Sequence, residues 1–375
     1  MFIHVTLVPY LSAAGEMKTK PSQQSVGILR SIGIFPDMLV CRCERPLEEE
    51  HRDKLALFCN VDRNLVIEEK DVDNSIYEVP LSLAEQDMDV YILEFLRCHV
   101  GRLDMRSWKK MVDTLVNPKG GEVEIAVVGK YISLQDSYKS IYEALTHGGI
   151  ANDVRIKLRP IESEELEKLG ADAVLNGVSG ILVPGGFGDR GIEGKISAVG
   201  YARENGIPFF GICLGMQCAA MDFARNVCDL KDANSSEFAE GTPHPVIHLM
   251  ESQRKIYKKG GTMRLGAYPC ELKKGSIAAS LYGKSRIEER HRHRYEFNND
   301  YKDAMSAKGM VFSGLSPDGE LVEIMEYPEH PWFVASQFHP EFQSTPMKSH
   351  PLFKGFIAAA MKASKSVNTS EAGEA

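Results

Sequence analysis

The sequence predicts an α/β fold whose C-terminal part is a doubly wound, mostly parallel sheet. After residue 122, apolar runs of strand length alternate with segments of 3.6-residue periodicity. This alternation is typical of βαβ units, whose helices cover both faces of a parallel sheet. Glycines follow two of the apolar runs, at the strand ends where such sheets bind ligands. The functional residues are therefore expected at these ends.

The elements follow one another regularly in this part of the chain. The predicted strands are "EIAVVGKY" (124–131), "DVRIKLRPI" (153–161), "GILVPGG" (180–186) and "IPFFGIC" (207–213). The predicted helices are "DSYKSIYEALTHGG" (136–149), "ESEELEKLG" (162–170), "GKISAVGYARENG" (194–206) and "LGMQCAAMDFARNV" (214–227).

A second domain precedes this one. The turn-rich stretch "NPKGGE" at 117–122 predicts a boundary, with one domain over 1–118, a linker over 119–122 and the C-terminal domain over 123–363. In the first domain "MFIHVTLVPYL" and "MLVCR" predict strands, as does "LALFCNV" (55–61), and "SVGILRSIG" predicts a helix. The small, polar tail at 364–375 is predicted to be disordered.

Composition and charge exclude several classes of function. The net charge of −8 argues against a large nucleic-acid or anionic-membrane surface. The sequence contains no apolar stretch approaching the ~18 residues that span a bilayer and no recognisable signal peptide. Eight scattered cysteines favour a reducing, cytoplasmic location. The spacing of Cys41 and Cys43 does not complete a zinc site, so no metal is expected.

Cys213 is the first candidate for chemistry. The stretch "GICLGMQ" (211–217) matches the G-x-S-x-G nucleophile elbow with sulfur in place of oxygen. A turn between strand and helix exposes the side chain, and the helix N-terminus favours a thiolate and can stabilise an oxyanion. The alternative is an inert cysteine that fills space at a strand end.

Two further segments could complete a site around Cys213. In "FVASQFHPEF" (333–342), Pro340 holds His339 and Glu341 in a fixed relation, which suits a base and the carboxylate that orients it. In "ILVPGGFGDRG" (181–191), backbone N–H groups of the glycine-rich loop could complete an oxyanion hole. Taken alone, each segment could equally be an ordinary turn.

These motifs, in this order, resemble the class I glutamine amidotransferases. The segments "VGKY", "GGTMRLG", "ERHRHRYEFNN" and "HPLFKGF" extend the resemblance to the glutaminase domain of the CTP synthase family. The N-terminal segments "FIHVTLVPYL", "GEMKTKPSQQSV" and "SIGIFPDMLVCR" are similar to the later part of that family's synthetase domain, which is of the P-loop type. The resemblance covers about residue 2 to residue 362.

The resemblance implies roles in hydrolysing the side-chain amide of glutamine. Cys213 would be the nucleophile, His339 the base and Glu341 its orienting carboxylate. The implied oxyanion donors are the backbone N–H groups of Gly186 and Leu214. The implied glutamine-binding residues are Gly185, Phe187, Gln217, Glu237 and Arg294, in which Glu237 would meet the ammonium and Arg294 the α-carboxylate. A solvated basic patch is the alternative for "RHRHR".

The resemblance also implies nucleotide sites. Lys18, Lys20, Gln23 and Lys54 would bind UTP, and CTP as feedback inhibitor, with the first two lysines in an extended loop. Arg42, Asp71 and Val72 would contact ATP. Arg264 and the loop 187–194 would be associated with GTP, the activator in this family. Without the resemblance, the lysine pair would be interpreted as a solvated surface.

One expected feature is missing from this sequence. No G-x-x-x-x-G-K-[ST] segment occurs before residue 118. Without this phosphate cradle and the acidic ligands of Mg²⁺, transfer of phosphate from Mg-ATP to UTP has no physical basis. The chain is therefore expected to lack the first part of the synthetase domain, to carry only the glutaminase half-reaction and to bind no covalent cofactor.

Two alternative functions stay open. One is a free-standing γ-glutamyl hydrolase or amidase that uses the same triad, although such an enzyme has no use for "KTKPSQ". The other is a non-catalytic subunit that regulates a full-length CTP synthase, because the family resemblance implies homotetramers or filaments. Measurements of size with and without a full-length partner would separate them.

Overall fold

The computed structural model describes residues 1–130, 132, 135–186, 188–249 and 263–371. The chain divides into two compact units, Met1–Asn117 and Pro118–Ala375. The predicted linker at 119–122 lies inside the second unit, and its last residue begins a strand. No helix in the described part of the chain is long and apolar enough to cross a membrane.

The first unit contains a small parallel sheet. Its strands are β1 (Ile3–Leu7), β2 (Tyr10–Leu11), β3 (Glu16–Met17), β4 (Met38–Cys43) and β5 (Val66–Lys70). Its helices are α1 (Lys20–Ser31), α2 (Glu49–Cys59), α3 (Val79–Glu85), α4 (Met88–Phe95) and α5 (Arg106–Val116). The sheet has the order β1-β4-β5, and β2 pairs with β3 as a hairpin.

The prediction of a strand at 55–61 is wrong, because residues 55–59 form the last part of helix α2 and the two that follow lie beyond its end. Leu55 and Cys59, four residues apart, are buried, whereas Leu57 and Phe58 are exposed. This is helical periodicity in a run too short to reveal it. Acidic residues in the first turn favour the helix through its dipole, and Asn60 ends it in the left-handed conformation.

The second unit contains the larger sheet. Its helices are α6 (Lys139–Asn152), α7 (Ser163–Leu169), α8 (Ala171–Leu175), α9 (Ile192–Glu204), α10 (Leu214–Asn226), α11 (Ile277–Tyr282), α12 (Lys302–Ser306) and α13 (Pro351–Glu371). Its strands are β6 (Glu122–Gly129), β7 (Arg155–Glu162), β8 (Gly180–Val183), β9 (Phe209–Ile212), β10 (Ala233–Ser235), β11 (His244–Leu249), β12 (Arg264–Leu272), β13 (Arg286–His293), β14 (Tyr295–Phe297), β15 (Val311–Leu315), β16 (Val322–Glu326) and β17 (Phe333–Ser336).

Only half of this sheet is parallel. Within the described residues it has nine strands in the order β13-β12-β15-β16-β17-β9-β8-β6-β7. The pairs from β17 to β7 are parallel, as predicted, and those from β13 to β17 are antiparallel. The antiparallel half is harder to recognise, since β13 reads "RIEERHRH" and buries the polar side chains of Glu289, His291 and His293 at alternate positions.

The core lies on both faces of the sheet. Phe209 and Phe210 are neighbours on β9 and belong to different hydrophobic clusters, because successive side chains of a strand point to opposite faces. Helices α9 and α10 contribute to one cluster, while α6 and α13 contribute to the other. Two covered faces explain why the central parallel strands β8 and β9 are apolar and buried throughout.

The predicted disorder at 364–375 is wrong for its first part, because helix α13 continues to Glu371. The helix is anchored by Leu352, Phe353 and Phe356, which are fully buried. Once a packed nucleus exists, each further residue adds a backbone hydrogen bond at little entropic cost, so the helix can continue to Glu371. Residues 372–375 lie outside the described residues.

Candidate active site

Three neighbouring strands bring the predicted catalytic segments together. β8, β9 and β17 are adjacent and parallel, so their carboxyl ends lie at one edge of the sheet. Gly185 follows β8, Cys213 follows β9 and His339 follows β17. A Cβ atom on Gly185 would lie 2.9 Å from His339 Cε1 and 3.5 Å from Cys213 Cβ, so the three segments are in direct contact.

Cys213 is held in a strained turn. Its φ of 52° and ψ of −103° are unfavourable for a residue with a side chain, at a typical cost of about 1–3 kcal/mol. Its N–H donates to Ser336 O at 2.7 Å, which joins the turn to β17. The turn also needs Gly215, where a Cβ atom would lie 2.0 Å from Val183 O. Helix α10 begins directly after Cys213, so its N-terminal dipole faces the thiol.

His339 connects the thiol to a carboxylate. Its Nδ1 lies 2.7 Å from Glu341 Oε1, and both side chains are largely buried. Burial lowers the pKa of His339, but the charge of Cys213, its side-chain hydrogen bond with that residue and the Glu341 carboxylate outweigh burial and raise the pKa to about 10. At neutral pH the imidazole of His339 therefore carries its proton.

The predicted oxyanion residues adjoin each other. A Cβ atom on Gly186 would lie 3.4 Å from Leu214 Cδ2, which places the loop after β8 against the first turn of α10. N–H groups in the first turn of a helix have no intrahelical acceptor and can bind an anion. Lys130 donates from its Nζ to the Gly188 carbonyl and thereby holds the same loop.

Gln337 faces Cys213, although the sequence analysis did not select it. Gln337 Nε2 lies 3.6 Å from Cys213 Sγ, and its Oε1 accepts from Gln217 Nε2 at 3.3 Å. Gln217 also donates to Tyr295 O at 3.2 Å. Gln217 is thus engaged with protein groups and reaches the thiol through Gln337. The only sequence signal was the position of Gln337, two residues before His339.

The predicted glutamine-binding charges face one another. Burial raises the pKa of Glu237, whereas the charges of Lys130 and Arg294 lower it. The carboxylate, the ammonium of Lys130 and the guanidinium of Arg294 therefore lie within electrostatic range. This supplies both charges that a zwitterionic amino acid needs. Phe187, the remaining predicted contact, lies outside the described residues.

The predicted UTP residues lie near one another, but Lys20 and Gln23 are on a helix and not in an extended loop. Lys18 pairs with Glu16, and the charges of Lys18 and Lys54 both lower the pKa of that carboxyl. Lys54 also pairs with Glu50 on its own helix. Lys20 is the first residue of α1 and Gln23 lies in its first turn, where Gln23 donates to Thr19, so the expected extended loop ends before Lys20.

The predicted ATP residues meet at the ends of two strands. Arg42 on β4 donates to Asp71, just after β5, at 2.6 Å, and both side chains are exposed. Val72 follows in the same loop, half-buried. An exposed ion pair of this kind contributes little stability, so it could open for a ligand.

Arg264 does not face an open nucleotide surface. Its side chain is buried on β12, 2.7 Å from Glu323 Oε1 and 3.9 Å from Glu296 Oε1, and it stacks on Tyr268. The sequence "TMRLG" could not show this, because its acidic partners lie on distant strands. Within the described residues, no group of three or more His, Cys, Asp or Glu side chains is arranged to hold a metal ion.

Both units match known protein families. Residues 133–359 match the family described as glutamine amidotransferase class-I, and residues 1–98 match the family described as CTP synthase N-terminus. CTP synthase from Geotalea uraniireducens is 56% identical over 361 residues, which cover 96% of this chain and 67% of that protein. The chain belongs to the CTP synthase family. CTP synthase from Moorella thermoacetica is 57% identical over 362 residues, with the same two shares.

The family match gives the reaction class of the family and the share of its members' length that this chain covers. CTP synthases are glutamine-dependent ligases, so glutamine and nucleotides are the substrate classes of the family. This chain spans about two thirds of the length of these relatives. A solved structure, the glutaminase domain of Trypanosoma brucei CTPS with bound acivicin, is similar with a TM-score of 0.61 at 42% identity. The matched region covers 64% of this chain and 94% of the Trypanosoma brucei chain.

Proposed function

We propose that this chain hydrolyses the side-chain amide of glutamine to glutamate and ammonia, as the glutaminase half of a CTP synthase. The observation that carries the proposal is the strained thiol of Cys213 at a helix N-terminus, beside an imidazole that Glu341 orients. A thiolate, a base and a group that fixes the base are the three parts that nucleophilic amide hydrolysis requires.

The reaction proceeds through a thioester. The Cys213 thiolate attacks the amide carbon, a C–S bond forms, and the carbonyl electron pair moves to oxygen. The tetrahedral intermediate collapses as the C–N bond breaks, and the His339 imidazolium gives its proton to the leaving nitrogen, which departs as ammonia. A water molecule, deprotonated by the now neutral His339, then attacks the thioester and releases glutamate.

The surrounding groups favour this reaction. The N–H groups of Gly186 and Leu214 receive the oxyanion, where one such donor is typically worth roughly 10²–10³ in rate. Glu237 and Arg294 bind the ammonium and the α-carboxylate of glutamine. Gly185 and Phe187 are proposed to contact the substrate, and Gln217 is proposed to support the site through Gln337.

The nucleotide contacts belong to the same proposal. Lys18, Lys20, Gln23 and Lys54 bind the triphosphate of UTP or of CTP as inhibitor, which is supported by the proximity of two of these lysines to Glu16. Arg42, Asp71 and Val72 contact ATP, and GTP acts as activator at the loop 187–194. Arg264 is left out of this set because it is buried in an ion pair.

The residues of this chain do not form a complete site for Mg-ATP. Asp71 is the only carboxylate among the proposed ATP contacts, and it is paired with Arg42. The sequence has no glycine-rich cradle with its lysine before residue 118. We therefore assign no phosphoryl-transfer step to this chain, and the cofactor role of Mg-ATP is proposed only for the longer enzyme.

An assembly role is favoured by one further observation. In the first unit β1 pairs with β4 on one side, and Ile3, Val5 and Leu7 are 38%, 61% and 62% exposed. An exposed apolar strand at a sheet edge favours association with further chain. The exposed strand indicates contact with further chain and does not select an oligomer; the homotetramer or filament is proposed from the family resemblance alone. All eight cysteines are unpaired, which suits the cytoplasm where we place the protein.

The test measures both half-reactions with the purified chain. We expect ammonia release from glutamine, its loss in the Cys213→Ala variant, and no CTP from UTP, Mg-ATP and glutamine. Glutamine turnover that survives Cys213→Ala would contradict the nucleophile, and CTP formation would contradict the restriction to one half-reaction. Size-exclusion chromatography with and without a full-length relative tests the assembly role, which a chain that never co-assembles would exclude.

A further inference from the structure

A lysine is buried behind the oxyanion loop without a hydrogen-bonding partner. Lys195 lies in the first two turns of helix α9, and its exposure is 0%. Its Nζ has no hydrogen-bond acceptor among the described residues. Buried ammonium groups are normally paired, so an unpaired one suggests a partner that the resting protein does not contain.

The ammonium adjoins the proposed oxyanion site. A Cβ atom on Gly186 would lie 3.4 Å from Lys195 Nζ and 3.4 Å from Leu214 Cδ2. Nζ therefore lies beside Gly186, which itself adjoins Leu214, and the N–H groups of these two residues are proposed to receive the oxyanion. The titratable groups that face it are Cys218 and Cys213 on α10 and its N-cap, Lys130 after β6 and Glu162 at the end of β7.

Neither packing nor helix electrostatics explains a cation at this position. A cation near a helix N-terminus opposes the helix dipole. Removal of an ammonium from water is strongly unfavourable when no counter-charge replaces the solvent. Burial lowers the pKa of Lys195 to about 8. At neutral pH most molecules of the protein therefore still have a protonated, positively charged Lys195. A methionine of similar length would fill the space without this cost.

We propose that Lys195 is a positioning residue that stabilises the negative charge on Cys213 and on the oxyanion during glutamine hydrolysis. The inference rests on the proposed function. The charge acts through the Gly186 peptide, whose N–H dipole it aligns toward the reacting oxygen. Glutamine's amide is neutral and the tetrahedral intermediate is not, so a fixed cation lowers the energy of the intermediate more than that of bound substrate.

Lys195→Met tests the proposal, with Lys168→Met as the matched control. Lys168 lies on the neighbouring helix α7 and is exposed. For Lys195→Met we expect kcat roughly 10–100-fold lower with KM unchanged, somewhat less than the loss of a direct oxyanion donor. The thermal midpoint should be unchanged or higher, because an unpaired buried charge is removed. The control should match the wild type in all three.

A second measurement does not depend on glutamine turnover. The rate at which iodoacetamide alkylates Cys213, followed by mass spectrometry of its peptide between pH 5 and 9, reports the thiolate fraction. In Lys195→Met the midpoint of this profile should move to higher pH. In the wild type, kcat should decline as the pH rises through about 8, because Lys195 then loses its proton and its charge. The variant should lack that decline.

The outcomes separate this inference from the proposed function. An unchanged kcat in Lys195→Met would overturn the role of Lys195. A lower kcat with a lower thermal midpoint and an unchanged alkylation profile would also overturn it, because it would show a structural role. If the wild type does not hydrolyse glutamine, the proposed function fails, and the shift of the alkylation profile still decides whether Lys195 stabilises the thiolate.

Discussion

The Nδ1 atom of His339 lies 2.7 Å from Oε1 of Glu341, two residues further along the chain, while the same imidazole interacts with Cys213. Pro340 separates the two residues and begins a short 3-10 turn, so their relation is set locally. The contact with Cys213 is set by the neighbouring strands β9 and β17. His339 thus contacts both Glu341, its neighbour in sequence, and Cys213, which is distant in sequence.

Glu341→Gln should lower glutamine hydrolysis sharply without unfolding the protein. The amide cannot hold the imidazolium, so the pKa of His339 should fall from about 10, and the ring can adopt the wrong tautomer. Comparable changes in triads reduce kcat by up to roughly 10⁴-fold. Kinetics and an NMR titration of His339 test this. A variant with normal kcat would show that Glu341 does not orient the base.

Gly185→Ala should lower glutamine turnover by crowding the active site. The added Cβ atom would lie 2.9 Å from His339 Cε1, which forces the ring away from Cys213. Gly241→Ala is the control, since nothing lies within 4 Å of its added Cβ. We expect both variants to fold by circular dichroism and only the first to lose glutamine turnover, by at least tenfold. Equal activities would mean that the loop moves freely.

Gln337→Met should slow alkylation of Cys213. The change removes the N–H group that lies 3.6 Å from Sγ and the acceptor of Gln217. Hydrogen bonds to charged groups contribute about 1.5–3 kcal/mol, so roughly a tenfold effect on thiolate reactivity is expected. Gln343→Met is the control, because that exposed glutamine binds Glu288 O and Glu289 instead. If both variants react at the wild-type rate, Gln337 does not assist the thiol.

His291→Asn should reduce the acid sensitivity of folding. Burial, with the nearby Arg264 charge, lowers the pKa of His291 to about 2, and burial lowers that of His293 to about 3. In the unfolded chain both protonate near their ordinary value of about 6.5. Below that pH the unfolded state therefore binds more protons than the folded state, so stability falls as pH falls.

The measurement is the urea unfolding free energy at several pH values between 4.5 and 7.5. Its slope against pH should be smaller in His291→Asn than in the wild type, whatever the absolute stability of the variant. His99→Asn, at an exposed position, should keep the wild-type slope. If the unfolding free energy has the same slope against pH in all three proteins, the buried histidine does not cause the loss of stability at low pH.

Local pattern was sufficient to predict the parallel half of the large sheet and the candidate nucleophile. The run "IPFF" followed by "GICLG" specifies a strand, a tight turn and a helix, because chain geometry over a dozen residues allows few alternatives. The same holds for His339, Pro340 and Glu341, whose relation depends on one short turn. Function could be inferred where neighbours in sequence are also neighbours in space.

Long-range packing determined the rest. Residues 55–59 are helical because Leu55 and Cys59 face a core that other segments supply. Arg264 is buried because Glu323 and Glu296 approach it from β16 and β14. The roles of Gln337 and Lys195 depend on the adjacency of β8, β9 and β17. This adjacency places Gln337 beside Cys213 and Lys195 beside Gly186. Burial and electrostatic environment depend on which strands become neighbours, and a local pattern does not encode that choice.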